Sequence, residues 1–344
     1  MKVSINEMRK RCEEVFKKAG VSEADAGIIT DVLLETEMRG VFTHGFYRVP
    51  NYVNCLKQGG IKPESDIDIV VETPSWALAD GKGGLGIILS YKAMKLAMKK
   101  AKETGVGIVN LRNSHHFGAA GYYTGMCADN KMVGMAMSNG DILVAATGSR
   151  ERTIGNNPFS FAAPAGKFEK IVYDIAMSYS SDKKIVKMAS EGKKLPLGWI
   201  IDKDGNDTVD PAEYEKGGTL LPFGGYKGYG MAMMVETLAA ALSGAAMTTD
   251  VHAWNVNPNT SGNVGHFFMA LDIEKIYDKN VFEENMASMI EKIKNSEKAA
   301  GVDEIYYPGE IEQKKRKECL DSGMVEINDE TMKMFEEVEK MIGI

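Results

Sequence analysis

The sequence predicts an α/β protein in which a sheet-containing central domain is joined to a helical domain formed by both termini. Helical periodicity dominates the chain up to Gly60, strand and helix patterns alternate from about residue 66, and charged helical patterns return near the end. Alternating strands and helices are typical of a sheet covered by helices. We therefore expect a helical domain of residues 1–72 with 285–344, and a sheet domain of residues 73–284.

The opening segment carries start signals for two helices. Ser4 and Glu7 have the spacing of a capping box, and apolar residues at helical spacing follow them. Ser22 has the side chain of a helix N-cap and opens a second pattern that runs toward Gly40. A third helical pattern ends at Gly59-Gly60, and Pro50 within it predicts a turn or a kink.

The rest of the chain alternates between the two kinds of element. Residue patterns predict strands at 66–71, 76–79, 106–111, 133–138, 159–162, 172–178 and 265–271. They predict helices at 89–104, 122–129, 231–242, 281–300 and 328–342. The pattern at 231–242 is almost uniformly apolar, which indicates a buried helix. Pro308-Gly-Glu310 is predicted to lie in the loop between the last two helices.

Two glycine-rich runs resemble phosphate-binding loops. Gly81–Gly86 matches G-x-G-x-x-G, but the following strand lacks the terminal acidic residue of a dinucleotide site, so we reject a Rossmann fold. Gly224–Gly230 places Lys227 at a helix start, where free N–H groups and the helix dipole favour an anion. The spacing around Lys227 is not that of a Walker A loop.

Composition excludes several classes of partner. A net charge of −7 without a long basic patch argues against nucleic acid and anionic membranes. The four cysteines are scattered and lack C-x-x-C spacing, which favours reduced thiols and a cytoplasmic location. No apolar run is long enough to span a bilayer, and the N-terminus has no signal-peptide core.

Chemistry-bearing side chains concentrate in two stretches. In the first, His44, Arg48 and Tyr52 follow each other at intervals of four, so a helical backbone places them on one side. The second contains the adjacent His115 and His116, directly after a predicted strand. A proton carrier beside a planar carboxylate clamp suits a small organic acid. For any one of these residues alone, a solvated or packing role is the better interpretation.

Seven ordered motifs make the chain resemble the second type of malate/L-lactate dehydrogenases. They are RGVFTHGFYR, NSHHFGAAGYY, GNNP, YDIAMS, LPFGGYKGYG, GNVGHFF and YYPGE, and they span nearly the whole chain. The resemblance implies a non-Rossmann, L-sulfolactate-dehydrogenase-like fold with a mixed-sheet, nucleotide-binding central domain. It also implies a homodimer that uses NAD or NADP, with NAD favoured, to interconvert a 2-hydroxy acid and its 2-keto acid.

The resemblance also assigns site residues. It places His44 and Arg48 at the substrate with Tyr52 nearby, and it makes either His116 or His44 the proton carrier. The cofactor-contacting positions that it implies are Asp174, Ala176, Ser178, Lys227, Gly228, Gly309 and Glu310. Thr43 stands where the family has Ser, and Asn156 where it has Thr.

Asn139 and Asp141 follow a predicted strand end, where we expect one of them to orient an imidazole or to bind substrate. Asp141 is also compatible with simple turn chemistry.

Three other functions are compatible with the same residues. A cyclic imine reductase of the same family needs the same clamp and cofactor. A metal-dependent hydrolase would use His115, His116, His252 and Asp141, although adjacent histidines are poor geometry for tetrahedral ligation, so we expect no metal site. A ligand-binding protein without catalytic activity is disfavoured by the paired proton carriers.

Overall fold

The computed structural model describes residues 1–344, which form eleven α-helices and fourteen β-strands. The helices are α1 (Ile5–Lys18), α2 (Glu23–Met38), α3 (Val49–Gln58), α4 (Gly86–Thr104), α5 (Ala120–Asp129), α6 (Asp182–Ser190), α7 (Tyr226–Val235), α8 (Ile273–Ile276), α9 (Lys279–Lys294), α10 (Glu310–Ser322) and α11 (Asp329–Ile342). The strands are β1 (Lys2–Ser4), β2 (Asp68–Glu72), β3 (Trp76–Asp80), β4 (Val106–Ser114), β5 (Met132–Ser138), β6 (Ile142–Ala145), β7 (Arg152–Gly155), β8 (Phe159–Ala165), β9 (Phe168–Ile175), β10 (Ile200–Ile201), β11 (Asp207–Thr208), β12 (Thr219–Leu220), β13 (Val264–Asp272) and β14 (Met324–Glu326).

A seven-stranded mixed sheet forms the centre of the molecule, as the sequence predicted. Its order is β2-β3-β4-β13-β5-β8-β9, and only β3 and β4 run parallel. Helix α4 packs on β4 and β13, and α5 packs on β5 and β8. The approach of α4 is close, because a Cβ at Gly107 would lie 1.8 Å from the Ala97 carbonyl oxygen. With one parallel pair among six, this sheet is not the mostly parallel sheet of a Rossmann fold, and α4 begins at Gly86, which confirms the interpretation of Gly81–Gly86 as a turn and helix start.

A smaller five-stranded sheet, β11-β10-β12-β6-β7, lies beside the main sheet. Its apolar core joins Val144, Ile200 and Leu220 to α7 and to Phe267 of β13. Three of its strands are only two residues long, so periodicity did not identify them as strands.

Both termini meet in one helical unit, which confirms that part of the predicted fold. Strand β1 pairs with β14, and the largest apolar core joins α1, α2, α3 and α11. Helix α9 instead packs on β8, where Ile290 contacts the core of Ala165 and Ile171. The domain boundaries at residues 72 and 285 stay predictions. None of the helices has the length and apolar character needed to cross a membrane.

Two features of the chain between residues 222 and 322 differ from the prediction. Helix α10 occupies the segment after Pro308, where we expected a loop. The helix was missed because its sequence lacks an apolar stripe, and only Glu310 and Gln313 in it are buried. The segment predicted as one buried helix is α7 followed by a π-helical turn, Glu236–Ala241. Its Met233, Met234 and Leu242 are exposed, so that expectation of burial was wrong.

Smaller deviations concern element ends. The Ser4 side chain makes no capping hydrogen bond, although it does occupy the N-cap of α1. The Ser22 hydroxyl accepts from the Asp25 N–H, as its position predicted. Strand β9 ends at Ile175, three residues before the predicted end, because Met177 and Ser178 turn to bond with Asn156.

Candidate active site

The stretch that carries His44 and Arg48 is not one continuous helix. Two single 3₁₀ turns, Phe42–His44 and Phe46–Arg48, precede α3 and are separated by Gly45. Pro50 lies in the first turn of α3, where a missing N–H costs little, so it begins the helix and does not kink it.

Arg48 presents free hydrogen-bond donors. Its Nε donates to the Thr43 carbonyl oxygen at 2.8 Å, and no carboxylate forms a salt bridge with the guanidinium. The guanidinium carbon lies 5.6 Å from the centre of the Tyr47 ring and 5.9 Å from that of Trp254. These contacts fix the plane of the guanidinium and leave its terminal N–H groups available for an anion.

His116 lies between two other aromatic rings. Its ring is stacked with His44 at 5.5 Å and 19°, and with Trp254 at 4.6 Å and 14°. The Tyr52 hydroxyl lies 2.6 Å from Nδ1 of His116, and the Gly118 N–H donates to the same atom at 3.4 Å. Because that N–H can only donate, Nδ1 accepts and the imidazole proton lies on Nε2.

Partial burial makes both imidazoles weakly basic. Loss of hydration and, secondarily, the charge of Arg48 lower the pKa of His44 to about 3. The same two causes lower the pKa of His116 well below its usual range. The two rings are therefore neutral at pH 7 in this environment, whereas an unperturbed imidazole titrates near 6.5. Burial raises the pKa of Tyr52, which keeps its hydroxyl protonated.

Tyr52 is fully buried behind His116, and its hydroxyl bonds to that imidazole. Its expected place beside the substrate stays a prediction. The structure thus brings Tyr52 into the cluster as a partner of His116.

Asp141 joins the cluster, and Asn139 does not present its amide to it. Burial raises the pKa of Asp141 to about 6, while the Arg48 charge and a backbone hydrogen bond from Trp254 oppose that rise. The Asn139 amide nitrogen donates to the Ala246 carbonyl at 2.7 Å, and its oxygen accepts from the Gly265 N–H at 2.9 Å. Both ends of the Asn139 amide therefore tie backbone segments together.

Three of the cofactor candidates lie along the edge strand β9. Gly121 N–H donates to the Asp174 carboxylate at 2.6 Å. Asp174 is exposed to solvent, yet the loss of hydration caused by the surrounding protein raises the pKa of its carboxyl to about 6. A Cβ at Gly309 would lie 2.9 Å from the Val172 carbonyl oxygen, so glycine permits this close approach. Lys294 donates to both oxygens of Glu310, at 2.6 and 2.7 Å.

The other candidates lie around the glycine-rich turn. Ser178 pairs with Pro222, which brings the segment containing Ala176 next to this turn. The Lys227 N–H donates to Gly224 at 3.4 Å and the Gly228 N–H donates to Phe223 at 3.0 Å, so both are already used within the turn. The Lys227 ammonium makes no salt bridge, and its role toward an anion stays a prediction.

His115 and His266 have packing roles. Both are buried, and their Nε2 atoms bond to Gly60 O at 3.1 Å and Ser114 Oγ at 2.8 Å. No three His, Cys, Asp or Glu side chains converge into a group suited to a metal ion.

Sequence reasoning missed Trp254 and Glu37. Trp254 lies in an irregular segment rich in Asn and Pro, where no periodicity marks it, and only its rarity (three Trp in the chain) distinguished it. Glu37 lies on α2 beneath Gly45, and its position in an otherwise helical pattern gave no sign of burial.

A guanidinium without a carboxylate partner beside two stacked, partly buried imidazoles is the arrangement expected of a site that binds an acid and moves a proton. The malate/L-lactate dehydrogenase family profile matches residues 3–336. The malate dehydrogenase of Pyrococcus horikoshii is 40% identical over 337 residues, which cover 96% of this chain and 92% of that protein. The L-sulfolactate dehydrogenase of Methanocaldococcus jannaschii is 38% identical, with 98% and 96% covered.

The fold agrees with these matches. The structure of sulfolactate dehydrogenase from Methanocaldococcus jannaschii superposes with a TM-score of 0.93 and covers 100% of this chain and 98% of the other, at 37% identity. A more distant relative, a Δ1-pyrroline-2-carboxylate/Δ1-piperideine-2-carboxylate reductase of Pseudomonas putida, is 32% identical over 75% of each chain. The chain belongs to the malate/L-lactate dehydrogenase family. It is an enzyme of the dehydrogenase class, for which the family implies a nicotinamide cofactor.

Proposed function

We propose that this enzyme interconverts a small, malate- or lactate-like 2-hydroxy acid and its 2-keto acid by hydride transfer. The observation that carries the proposal is the stacked His116, bonded to Tyr52 and lying in the same aromatic cluster as the unpaired guanidinium of Arg48. Malate and sulfolactate dehydrogenases are among its relatives, which supports this class of substrate.

Arg48 is proposed to bind the substrate carboxylate. A planar guanidinium matches a carboxylate through two parallel N–H···O bonds, and the contact of Nε with Thr43 leaves the other nitrogens for that purpose. The bound carboxylate also neutralises the positive charge of Arg48, which otherwise disfavours protonation of the nearby His116. The pKa of His116 therefore rises when the anion is bound, which prepares that ring to take up a proton.

His116 is proposed as the proton carrier. In the reduction direction, the imidazolium, which carries a proton on both ring nitrogens, donates its Nε2 proton to the keto oxygen as a hydride reaches C2. This yields the hydroxyl group and a neutral imidazole with its remaining proton on Nδ1, and proton exchange with solvent then restores the resting Nε2–H tautomer. The nicotinamide, when bound, supplies that hydride. Tyr52 accommodates protonation at Nδ1 because its hydroxyl also lies 3.4 Å from the His116 carbonyl oxygen, a second acceptor. The reverse sequence oxidises the hydroxy acid.

His44 is the alternative proton carrier. Its Nδ1 lies 3.0 Å from the Thr43 hydroxyl and its ring faces that of His116. Two groups, Tyr52 and Gly118, contact Nδ1 of His116 and fix its tautomer, whereas a single hydroxyl contacts His44. We therefore favour His116 as the proton carrier. Asp141 is proposed to balance the charge of Arg48 at the mouth of the site, and Asn139 to hold the backbone there.

NAD is the favoured cofactor. The proposed cofactor residues lie on and around β9. Its end and continuation carry Asp174, Ala176 and Ser178, and Gly309 with Glu310 packs against it near Val172. Lys227 and Gly228 lie in the turn beside Ser178. A carboxylate such as Asp174 accepts hydrogen bonds from a ribose and repels a 2′-phosphate, which supports NAD over NADP.

A cyclic imine reductase is the second candidate. The reductase relative from Pseudomonas putida supports it, and a cyclic imine 2-carboxylate presents the same carboxylate to Arg48. We also propose a homodimer, which the exposed apolar Met233, Met234 and Leu242 support. The four unpaired thiols support a cytoplasmic location.

A spectrophotometric screen tests these proposals together. The full chain is mixed with oxaloacetate, pyruvate, sulfopyruvate or a cyclic imine carboxylate, with NADH and NADPH in parallel. We expect oxidation of NADH by at least one keto acid. Turnover of the imine alone would favour the reductase. No turnover, combined with no thermal stabilisation by either nucleotide, would reject the proposed function.

A further inference from the structure

Glu37 is a buried carboxyl group directly beneath the loop that carries His44 and Arg48. Its side chain is 2% exposed, and one oxygen, Oε2, accepts from the Phe46 N–H at 2.9 Å. The other oxygen, Oε1, has no hydrogen-bond partner. A buried carboxyl with an unpaired oxygen is costly to keep, so its retention needs a reason.

The carboxyl also packs against the backbone of Gly45. A Cβ at Gly45 would lie 1.9 Å from Oε2 and 3.0 Å from Cδ of Glu37. Gly45 separates the two 3₁₀ turns, so the carboxyl supports the loop at its midpoint, one residue from His44 and three from Arg48. No other side chain makes a hydrogen bond to the backbone N–H groups of this loop.

Glu37 is mostly protonated at neutral pH. Loss of hydration raises its pKa to about 8, and the hydrogen bond from Phe46 opposes the rise only in part. Arg39, two residues further along the chain, pairs with Glu35, and Arg316 of α10 pairs with the same Glu35 carboxylate. A protonated carboxyl still accepts from Phe46, and it adds no negative charge that would compete with a substrate carboxylate for Arg48.

We propose that Glu37 is a positioning residue of the active site, which holds the Thr43–Arg48 loop through Phe46 and Gly45 so that His44 and Arg48 face the substrate. The inference rests on the proposed function for its catalytic consequence. Its structural part, the attachment of the loop to Glu37, stands on the contacts alone.

Two substitutions of Glu37 separate hydrogen bonding from shape. Glu37→Gln keeps the length of the side chain, its neutrality and an acceptor for Phe46, so we expect kcat/KM within about threefold of wild type. Glu37→Leu removes the acceptor, and a displacement of the loop on the order of 1 Å lowers kcat/KM by about 10- to 100-fold. Glu35→Gln, on the same helix but away from the loop, is the matched control and stays near wild type.

A double-mutant cycle tests the contact with Gly45. Gly45→Ala lowers kcat/KM strongly in the presence of Glu37, because the new methyl group meets Oε2. Glu37→Ala removes Oε2 and Cδ, and it leaves the Glu37 Cβ 3.3 Å away, so adding Gly45→Ala to it causes little further loss. Additive losses would overturn the contact as the means of positioning.

Hydrogen exchange of the peptide covering residues 41–49 gives a readout that does not depend on catalysis. We expect faster exchange in Glu37→Leu than in wild type, and native-like exchange in Glu37→Gln. Unchanged exchange in a folded Glu37→Leu variant overturns the proposal even if wild type is inactive. Wild-type kinetics in Glu37→Leu overturn it while leaving the proposed function intact. If Glu37→Leu does not fold, Glu37→Gln and the Gly45 cycle decide.

Discussion

Replacing Tyr52 by Phe removes one hydroxyl group and keeps the ring that packs against Trp254. Tyr52 is fully buried, and its hydroxyl lies 2.6 Å from Nδ1 of His116. Without the hydroxyl, Nδ1 keeps only the longer contact from the Gly118 N–H at 3.4 Å, and weakening the hydrogen bonding of a buried acceptor in this way costs about 1–3 kcal/mol. If that cost falls on the transition state, the rate decreases by about 5- to 150-fold, since each 1.36 kcal/mol is about a factor of ten.

The assay is steady-state reduction of the keto acid identified in the screen, with the Tyr52→Phe variant and a Tyr277→Phe control. Tyr277 is 54% exposed, so its hydroxyl is dispensable. We expect kcat to fall and KM to change little, because the Tyr52 hydroxyl contacts His116, whereas Arg48 is proposed to bind the substrate carboxylate. A folded Tyr52→Phe variant with kcat within about twofold of wild type would refute the reasoning that Tyr52 tunes His116.

Three further predictions concern Arg48, Glu37 and the core of the helical unit. Arg48→Lys loses the planar fork, so kcat/KM measured with saturating NADH falls by about 100-fold, mainly through KM; an unchanged KM would contradict the clamp. The pKa of Glu37 is higher in the folded state, at about 8, than in the unfolded state, at about 4.5. The free energy of unfolding of wild type therefore decreases by up to about 4 kcal/mol as pH rises from about 4.5 to about 8, whereas that of Glu37→Gln does not. Thermal melts at pH 6 and pH 8.5 measure this, and parallel losses in both proteins would contradict it. Phe335→Ala, in the core of the helical unit, destabilises by about 3–5 kcal/mol in urea titration, and a loss below about 1 kcal/mol would contradict its packing role.

The strands of the main sheet and most helices of the two termini were predictable because each depends on periodicity within one segment. Helix α10 was not, since its stability comes from partners elsewhere, such as the pairs of Glu310 with Lys294 and Arg316 with Glu35. Charged helices without an apolar stripe give no periodic signal. The strands of the smaller sheet are too short to carry one.

The candidate site shows the same division between local and long-range information. Spacing placed His44 and Arg48 in one stretch and the adjacent histidines in another, and the resemblance selected His116 of that pair, but the proximity of the stretches depends on the fold. Trp254 reaches His116 from more than a hundred residues away in sequence. The neutrality of the imidazoles depends on burial and on Arg48, neither of which a spacing encodes.

The proposed proton carrier is tested most simply by measuring kcat for keto-acid reduction in His116→Ala and His44→Ala, beside wild type. Loss of a positioned proton carrier costs about 10²- to 10⁴-fold. The proposed mechanism predicts a loss of that size in His116→Ala, a smaller loss in His44→Ala, and wild-type stabilisation by NADH in both. Rates near that of wild type in both variants would contradict it, and a larger loss in His44→Ala would assign the proton to His44.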